Sequence, residues 1–317
     1  MKTGILLLNF GGPDTNDEVV PFLYNLFSDP NVLVGIPAPV RQILAYLISR
    51  IKGPSSRRSY ALIGGGSPQL RWTRLQVDGL RHALKKTGRD VPVSVGMRVW
   101  RPPIRQTLDE LRAAGIEHLI LLPLFPQYST TTSKTCLEEV ETQLKKMDWR
   151  PKRTTITSWP DFPPYIALLR RTVDEAVAEA SRHPEPVHVL FSAHSLPMKI
   201  IQRGDPYPEE VNKTVQAVSK GLRAPWSLAF QSRNGRLPWL QPYTENEIDR
   251  LAAEGCRNLV IVPISFVSDH IETLYEIDML FADHAKNAGI THYSRSRSFN
   301  DDPEFAEVLK ALAEPAL

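Results

Sequence analysis

Two stretches of this sequence repeat themselves, and the repeat limits the fold more than any other feature. GIEHLILLPLF (115–125) aligns with GCRNLVIVPIS (255–265), glycine and proline in register, at an offset of 140. ILLLNFGGP (5–13) aligns likewise with VLFSAHSLP (189–197), at an offset of 184. Between its first and last matched strands the first half therefore carries 44 extra residues. Any two helix–glycine–strand–proline passages share some likeness, but two matches in the same order favour duplication.

The repeated unit reads as α/β. Short apolar runs bounded by turn residues predict buried strands at Ile5–Asn9, Val91–Gly96, His118–Leu122, Val187–Ser192, Trp226–Gln231 and Asn258–Val262. Amphipathic stretches between them, such as Leu70–Lys86, Ile104–Ala114, Tyr165–Ser181 and Pro208–Leu222, predict helices. The expectation is two similar Rossmann-like domains with parallel sheets, their strand ends opening on a shared cleft. The proline cluster WPDFPP (159–164) sets the boundary, giving domains 1–160 and 161–317. A hydrophobic fraction of 42% supplies core for both.

The surplus of the first half falls at about 16–60. Val19, Val20, Phe22, Leu23, Leu26 and Phe27 follow a helical repeat there, and Val40, Ile43, Leu44, Tyr46, Leu47 and Ile48 come after Pro37 and Pro39. Two readings stand: an ordinary amphipathic core helix, or an apolar lip whose basic flanks (Arg41, Arg50, Lys52, Arg57, Arg58) meet headgroups or substrate carboxylates.

His194 falls just past a predicted strand, where open α/β sheets carry catalytic groups. A neutral imidazole can both ligate a divalent metal and accept a proton. Phe10, its counterpart in the first half, can do neither. The second constellation is Asp269, His270, Glu272, Glu276 and Asp278. On a helix Asp269, Glu272 and Glu276 share one face, although Asp269 and Glu272 also have capping-box spacing. Opposite His194, such a row would draw in a cation or carry protons outward. Gly11-Gly12-Pro13 lacks dinucleotide spacing, and the GGGSP run at 64–68 lacks a P-loop lysine, so both read as tight turns.

Charge and cysteine usage exclude little more. Lys and Arg total 38 against 35 acidic residues, a balance that argues against a nucleic-acid partner. Cys136 and Cys256 are too far apart for a metal knuckle and fit a reducing compartment. The sequence shows no signal-peptide pattern and no apolar run near the ~20 residues of a membrane span. The expectation is a soluble cytoplasmic protein, with peripheral contact at the inner face of the cell membrane left open.

The passages LLLNFGGP (6–13), PFLYNLFSDP (21–30), YALIGGGSPQL (60–70), VGMR (95–98), LPLFPQYSTTTS (122–133), FSAHSLP (191–197), FQSRNGRLPWLQP (230–242) and SFVSDHIETLYEID (265–278) resemble the ferrochelatase family along nearly the whole chain. The resemblance implies a lyase of haem biosynthesis that inserts Fe2+ into protoporphyrin IX, bending the ring and removing two pyrrole protons. It implies that His194 and Glu272 are catalytic and metal-binding, and that Asp269, His270 and Glu276 form an acidic relay. Phe10, Arg98, Tyr128, Ser133, Trp239 and Phe266 match positions lining the porphyrin pocket, and the segment around 16–60 matches a mobile apolar lip. Thr130 stands where animal members have a cluster-ligating cysteine, so no [2Fe–2S] cluster and no tightly bound cofactor is expected. An upstream porphyrinogen oxidase is the implied partner and a monomer the default. Coproporphyrin III as substrate, cobalt insertion into sirohydrochlorin, and a non-catalytic porphyrin or haem carrier stay open as alternatives.

Overall fold

The structure is a computed structural model that describes every residue except Val34, Asn234 and Arg236. Among the described residues, eight strands form two four-stranded sheets. The first contains β1 (Thr3–Asn9), β2 (Val93–Met97), β3 (His118–Pro123) and β4 (Lys152–Thr155), in the order β2-β1-β3-β4. The second contains β5 (Val187–His194), β6 (Trp226–Gln231), β7 (Asn258–Pro263) and β8 (His292–Arg295), in the order β6-β5-β7-β8. All neighbours are parallel. Strands covered on both faces need apolar side chains on both, which is why β3 and β7 are buried throughout and read as unbroken apolar runs.

Sheet register matches the repeat. Ile5 pairs with Ile120, and Val189, 184 positions after Ile5, pairs with Val260, 140 after Ile120. The offset of 140 extends to α4 (Ile104–Ala113) and α9 (Thr244–Ala253), and to β4 and β8. Strands β2 and β6, however, start 133 apart. The surplus is thus a difference of two insertions: 51 residues between β1 and β2, offset by seven in the second half between β6 and α9. The larger insertion holds α1 (Val19–Ser28) and α2 (Ala38–Leu62), ahead of α3 (Gln69–Lys86). The second half has only α7 (Met198–Ile201) and α8 (Tyr207–Ser219) between β5 and β6.

Strands β4 and β8 were not foreseen. Their sequences, KRTT and HYSR, are short and polar, which a sheet edge with a neighbour on one side only allows, whereas the opposite edges β2 and β6 are more apolar. Along its first four turns helix α2 packs through small residues, and the large Tyr60 is buried near its end. Ala45, Ser49 and Gly53 are buried, and a Cβ on Gly53 would lie 2.6 Å from Val20 Cγ2. Its large apolar residues Val40, Ile43, Tyr46, Leu47 and Ile51 are exposed, so α2 is not the ordinary core helix. No described helix is long and apolar enough to cross a membrane. The two glycine runs read as separate turns pack on each other: Ser67 N–H donates to the Pro13 carbonyl at 2.7 Å, and side chains at Gly12 or Gly66 would collide with Ser67 or the Asp14 carbonyl.

The chain divides into two compact units, 1–158 with 300–317 and 159–299. This departs from the sequence boundary, which gave everything after 160 to the second domain. The helix after each sheet's last strand is exchanged. α6 (Pro163–Ala180) follows β4 but packs within the second unit on β5, β7 and α8. α11 (Pro303–Ala313) follows β8 but packs on α3 in the first, burying Phe305 and Leu309. A local hydrophobic pattern shows that a helix has an apolar face, and nothing about which sheet will cover it.

Candidate active site

The candidate residues His194, His270, Glu272 and Glu276 come together in the second unit, at the C-terminal ends of its parallel strands. His194 is the last residue of β5 and pairs in register with Gln231, the last of β6. β7 leads through Ser265 and Phe266 into a π-helix, Glu272–Phe281, continued by α10 (Ala282–Ala288).

His194 is fixed from two sides. Its main-chain N–H donates to Ser265 Oγ at 3.2 Å, and that hydroxyl is 2.6 Å from the buried Tyr207 hydroxyl. Its ring Nδ1 lies 2.5 Å from the Ser195 carbonyl, an acceptor only, so Nδ1 must carry hydrogen. That leaves Nε2 facing Glu272 Oε1 at 3.3 Å. The other Glu272 oxygen is 3.4 Å from His270 Nε2, so one carboxylate bridges two imidazoles. The Phe266 ring stands edge-on to both, 6.2 Å from His194 and 4.4 Å from His270. The His194 and Glu272 side chains retain 31% and 29% exposure, so neither is sealed from solvent.

The charges are strongly coupled. Burial alone would lower the His194 pKa, but the adjacent Glu272, the Ser195 carbonyl and more distant Glu276 raise it to about 9. Burial works against ionisation of Glu272, yet His194 and His270 hold its carboxyl well below the usual carboxylate range. Glu276 shifts the other way. Burial and repulsion from Glu272 raise its pKa, opposed by donors from Ser232 and Gln231. Those donors are Ser232 N–H at 2.8 Å, the Ser232 hydroxyl, and Gln231 Nε2 at 3.1 Å. Gln231 Nε2 also donates to the Glu272 carbonyl at 3.0 Å, while its Oε1 accepts from Ser192.

The acidic row differs from the expected α-helical face. The segment is a π-helix, with Glu272 and Glu276 close together on it, but Asp269 is drawn away. Asp269 Oδ1 lies 3.0 Å from Arg295 Nη1 and accepts from Ser298 Oγ at 2.7 Å. Nor do Asp269 and Glu272 make a capping box: the Thr273 hydroxyl serves the turn, accepting from His270 N–H and donating to its carbonyl. Trp239 is half-buried beside the His194 loop, bridged to Pro197. Asn234 and Arg236 of the FQSRNGRLPWLQP passage lie outside the described residues.

Phe10, Arg98, Tyr128 and Ser133 belong to the first unit. Phe10 and Arg98 occupy the positions that correspond to His194 and Gln231, and Thr132 and Cys136 those of Glu272 and Glu276. The Arg98 guanidinium is engaged with Asp29 (2.8 Å), Thr135 (3.0 Å) and Glu139 (3.8 Å). Tyr128 is half-buried after β3; Ser133 is fully buried at the start of α5 (Ser133–Lys146). Sequence reasoning missed Gln231, Ser232, Ser265, Tyr207 and Arg295. Gln231, Ser232 and Ser265 stood in quoted passages, polar residues at or just past the end of an apolar strand, and Tyr207 and Arg295 give no local signal.

Comparison with known proteins points one way. The family model described as Ferrochelatase matches residues 2–317. Curated relatives named Ferrochelatase include those of Synechococcus sp. (strain JA-3-3Ab), 45% identical over 100% of this chain and 94% of that protein, and Gloeobacter violaceus, 42% identical over 98% and 96%. Among solved structures, SirB from Bacillus subtilis with Fe3+ aligns at a TM-score of 0.56 and 11% identity over 99% of this chain and 95% of that one. The sirohydrochlorin chelatase SirB from Bacillus subtilis subspecies spizizenii in complex with cobalt aligns at 0.52 and 10%, covering 99% and 95%. At such identities the structures speak for the fold alone.

Proposed function

From the premise that the chain belongs to the ferrochelatase family of porphyrin metal chelatases, a class of lyases, we propose that it inserts Fe2+ into protoporphyrin IX to give protohaem. The observation that carries this reading is the Glu272 carboxylate shared between His194 and His270 at the open strand ends. Fe2+ and the porphyrin are both substrates, and two pyrrole protons must leave as the metal enters.

At rest His194 and Glu272 hold each other charged: the imidazolium keeps the carboxylate ionised and the carboxylate keeps the imidazole protonated. A dication approaching Glu272 competes with that proton. As the carboxylate turns to the metal, Nε2 loses the charge that stabilised its proton and becomes an acceptor or ligand, with Nδ1 still tied to Ser195. Glu276, its proton affinity already raised, is suited to take a displaced proton onward. Asp269, paired with Arg295, serves the relay through structure more than through proton exchange. Phe266 and Trp239 offer aromatic surface to the macrocycle, and for Phe10, Arg98, Tyr128 and Ser133 a role in porphyrin binding rests on the family resemblance alone.

The same reading makes the protein a cytoplasmic monomer fed by a porphyrinogen oxidase. Exposed apolar residues on α2, among Arg50 and Lys52, support peripheral contact with the inner face of the cell membrane. The deciding experiment is anaerobic incubation with Fe2+ and either protoporphyrin IX or coproporphyrin III, followed by metalloporphyrin absorbance. Faster metallation of protoporphyrin IX is expected. Preference for coproporphyrin III would overturn the substrate assignment, and metallation of neither by folded protein would overturn the enzyme reading.

A further inference from the structure

A π-helix of ten residues, Glu272–Phe281, needs holding, because i→i+5 geometry normally survives only as short interruptions of an α-helix. Strand β8 supplies the hold. Arg295, its last residue, has a side chain only 12% exposed and meets Asp278 with two bonds, Nε to Oδ1 at 2.6 Å and Nη2 to Oδ2 at 3.0 Å. Its remaining nitrogen reaches Asp269 at 3.0 Å and Ser298 Oγ at 3.2 Å. One guanidinium therefore fastens the residue before His270 and a residue late in the π-helix to the same strand. His270, Glu272 and Glu276 all lie between the two anchors. From the same strand the Tyr293 hydroxyl donates to the Ile277 carbonyl at 2.6 Å.

The first half provides an internal control at the offset of 140. Ser129, Glu138 and Thr155 stand there in the places of Asp269, Asp278 and Arg295, so two of the three clamp residues have no charged counterpart. Arg153 replaces Tyr293 and pairs with Glu141 instead of a helix carbonyl. With that clamp missing, the corresponding segment is an ordinary α-helix, α5. The connections from β3 to β4 and from β7 to β8 have the same length, so no inserted residue accounts for the difference.

We propose that Arg295 is a positioning residue for metal insertion: by bridging Asp269 and Asp278 it holds the π-turn that sets Glu272 against His194. This rests on the reading of His194 and Glu272 as the insertion site. The test uses the full chain and two readouts, hydrogen exchange of residues 270–281 without substrate, and steady-state metallation with Fe2+. Arg295→Met is expected to speed exchange across that segment by about tenfold while β5 and β7 stay protected. It should lower kcat by about tenfold to a hundredfold, with the KM for porphyrin changed much less than that for Fe2+. Arg295→Lys keeps the charge but cannot form the paired bonds, so it should fall between Met and the parent in both readouts. If Arg295→Met fails to fold, Asp278→Asn, at a side chain one-third exposed, removes half the clamp and should reproduce the effects. Unchanged exchange and unchanged Fe2+ KM in the folded variants would overturn the proposal. Because exchange is read without substrate, it stands apart from a parent protein that metallates nothing, which would instead remove the functional reading.

Discussion

At His194, the bond from Nδ1 to the Ser195 carbonyl decides which nitrogen meets Glu272, and so which one a substrate would find. His194→Ala is expected to reduce turnover by about a hundredfold or more while porphyrin binding, followed by absorbance, persists. Near-normal turnover would remove the residue from its role. The pair also fixes a pH window. The His194 pKa is raised from 6.5 to about 9, so its contribution to stability is complete below 6.5 and lost as pH rises through about 9. The Glu272 pKa is lowered, so its contribution is present above 4.5 and lost as pH falls through its depressed folded value. Between those limits the ion pair is intact, and under the proposed role Fe2+ would have to displace its proton. The KM for Fe2+ should fall as pH rises toward 9. In Glu272→Gln the His194 titration, followed by NMR, should move down toward 6.5; a titration still near 9 would show that Glu272 is not its cause. At this scale the sequence singled out His194 and Glu272 but not which ring nitrogen faces the carboxylate, because the Ser195 carbonyl is a main-chain group with no signature of its own.

Among elements, the π-helix and the β6–α9 loop act together. Ser232 sits at φ +66, a left-handed conformation uncommon for serine, and there both its N–H and its hydroxyl point to Glu276. Ser232→Ala removes one of these donors and should cost about 1 kcal/mol of stability, read by chemical denaturation. It should also slow turnover severalfold; equal rates would exclude the loop from the relay. The strands His118–Leu122 and Asn258–Val262 were legible because burial on both faces demands unbroken apolar runs. KRTT and HYSR were not, since these four-residue edge strands carry no apolar run, unlike the opposite edges VSVGM and WSLAFQ. The π-turn was illegible for a further reason. Glu272 and Glu276 share a helical face at α spacing as well, and the residues that select the wider turn, Arg295 and Tyr293, lie on another strand.

For the whole molecule, the exchanged helices mean that neither sheet is completed by the helix that follows it in sequence: α6 joins the second unit and α11 the first. Phe305, fully buried on α11, should therefore matter to the first unit. Phe305→Ala is expected to cost about 3–5 kcal/mol in urea denaturation. A loss under about 1 kcal/mol would mean that α11 is dispensable there.

What the sequence alone determined was the repeated α/β unit, its apolar strands and the register between its halves, along with the difference that puts a histidine at 194 and a phenylalanine at 10. These follow from local periodicity and from the order of motifs, which survive without knowledge of contacts. Only the tertiary structure decided that Asp269 turns to Arg295, that Glu272 is shared between two imidazoles, and that each terminal helix is exchanged. Each of those outcomes depends on groups distant in sequence competing for one partner, and that competition is settled only when the chain is packed.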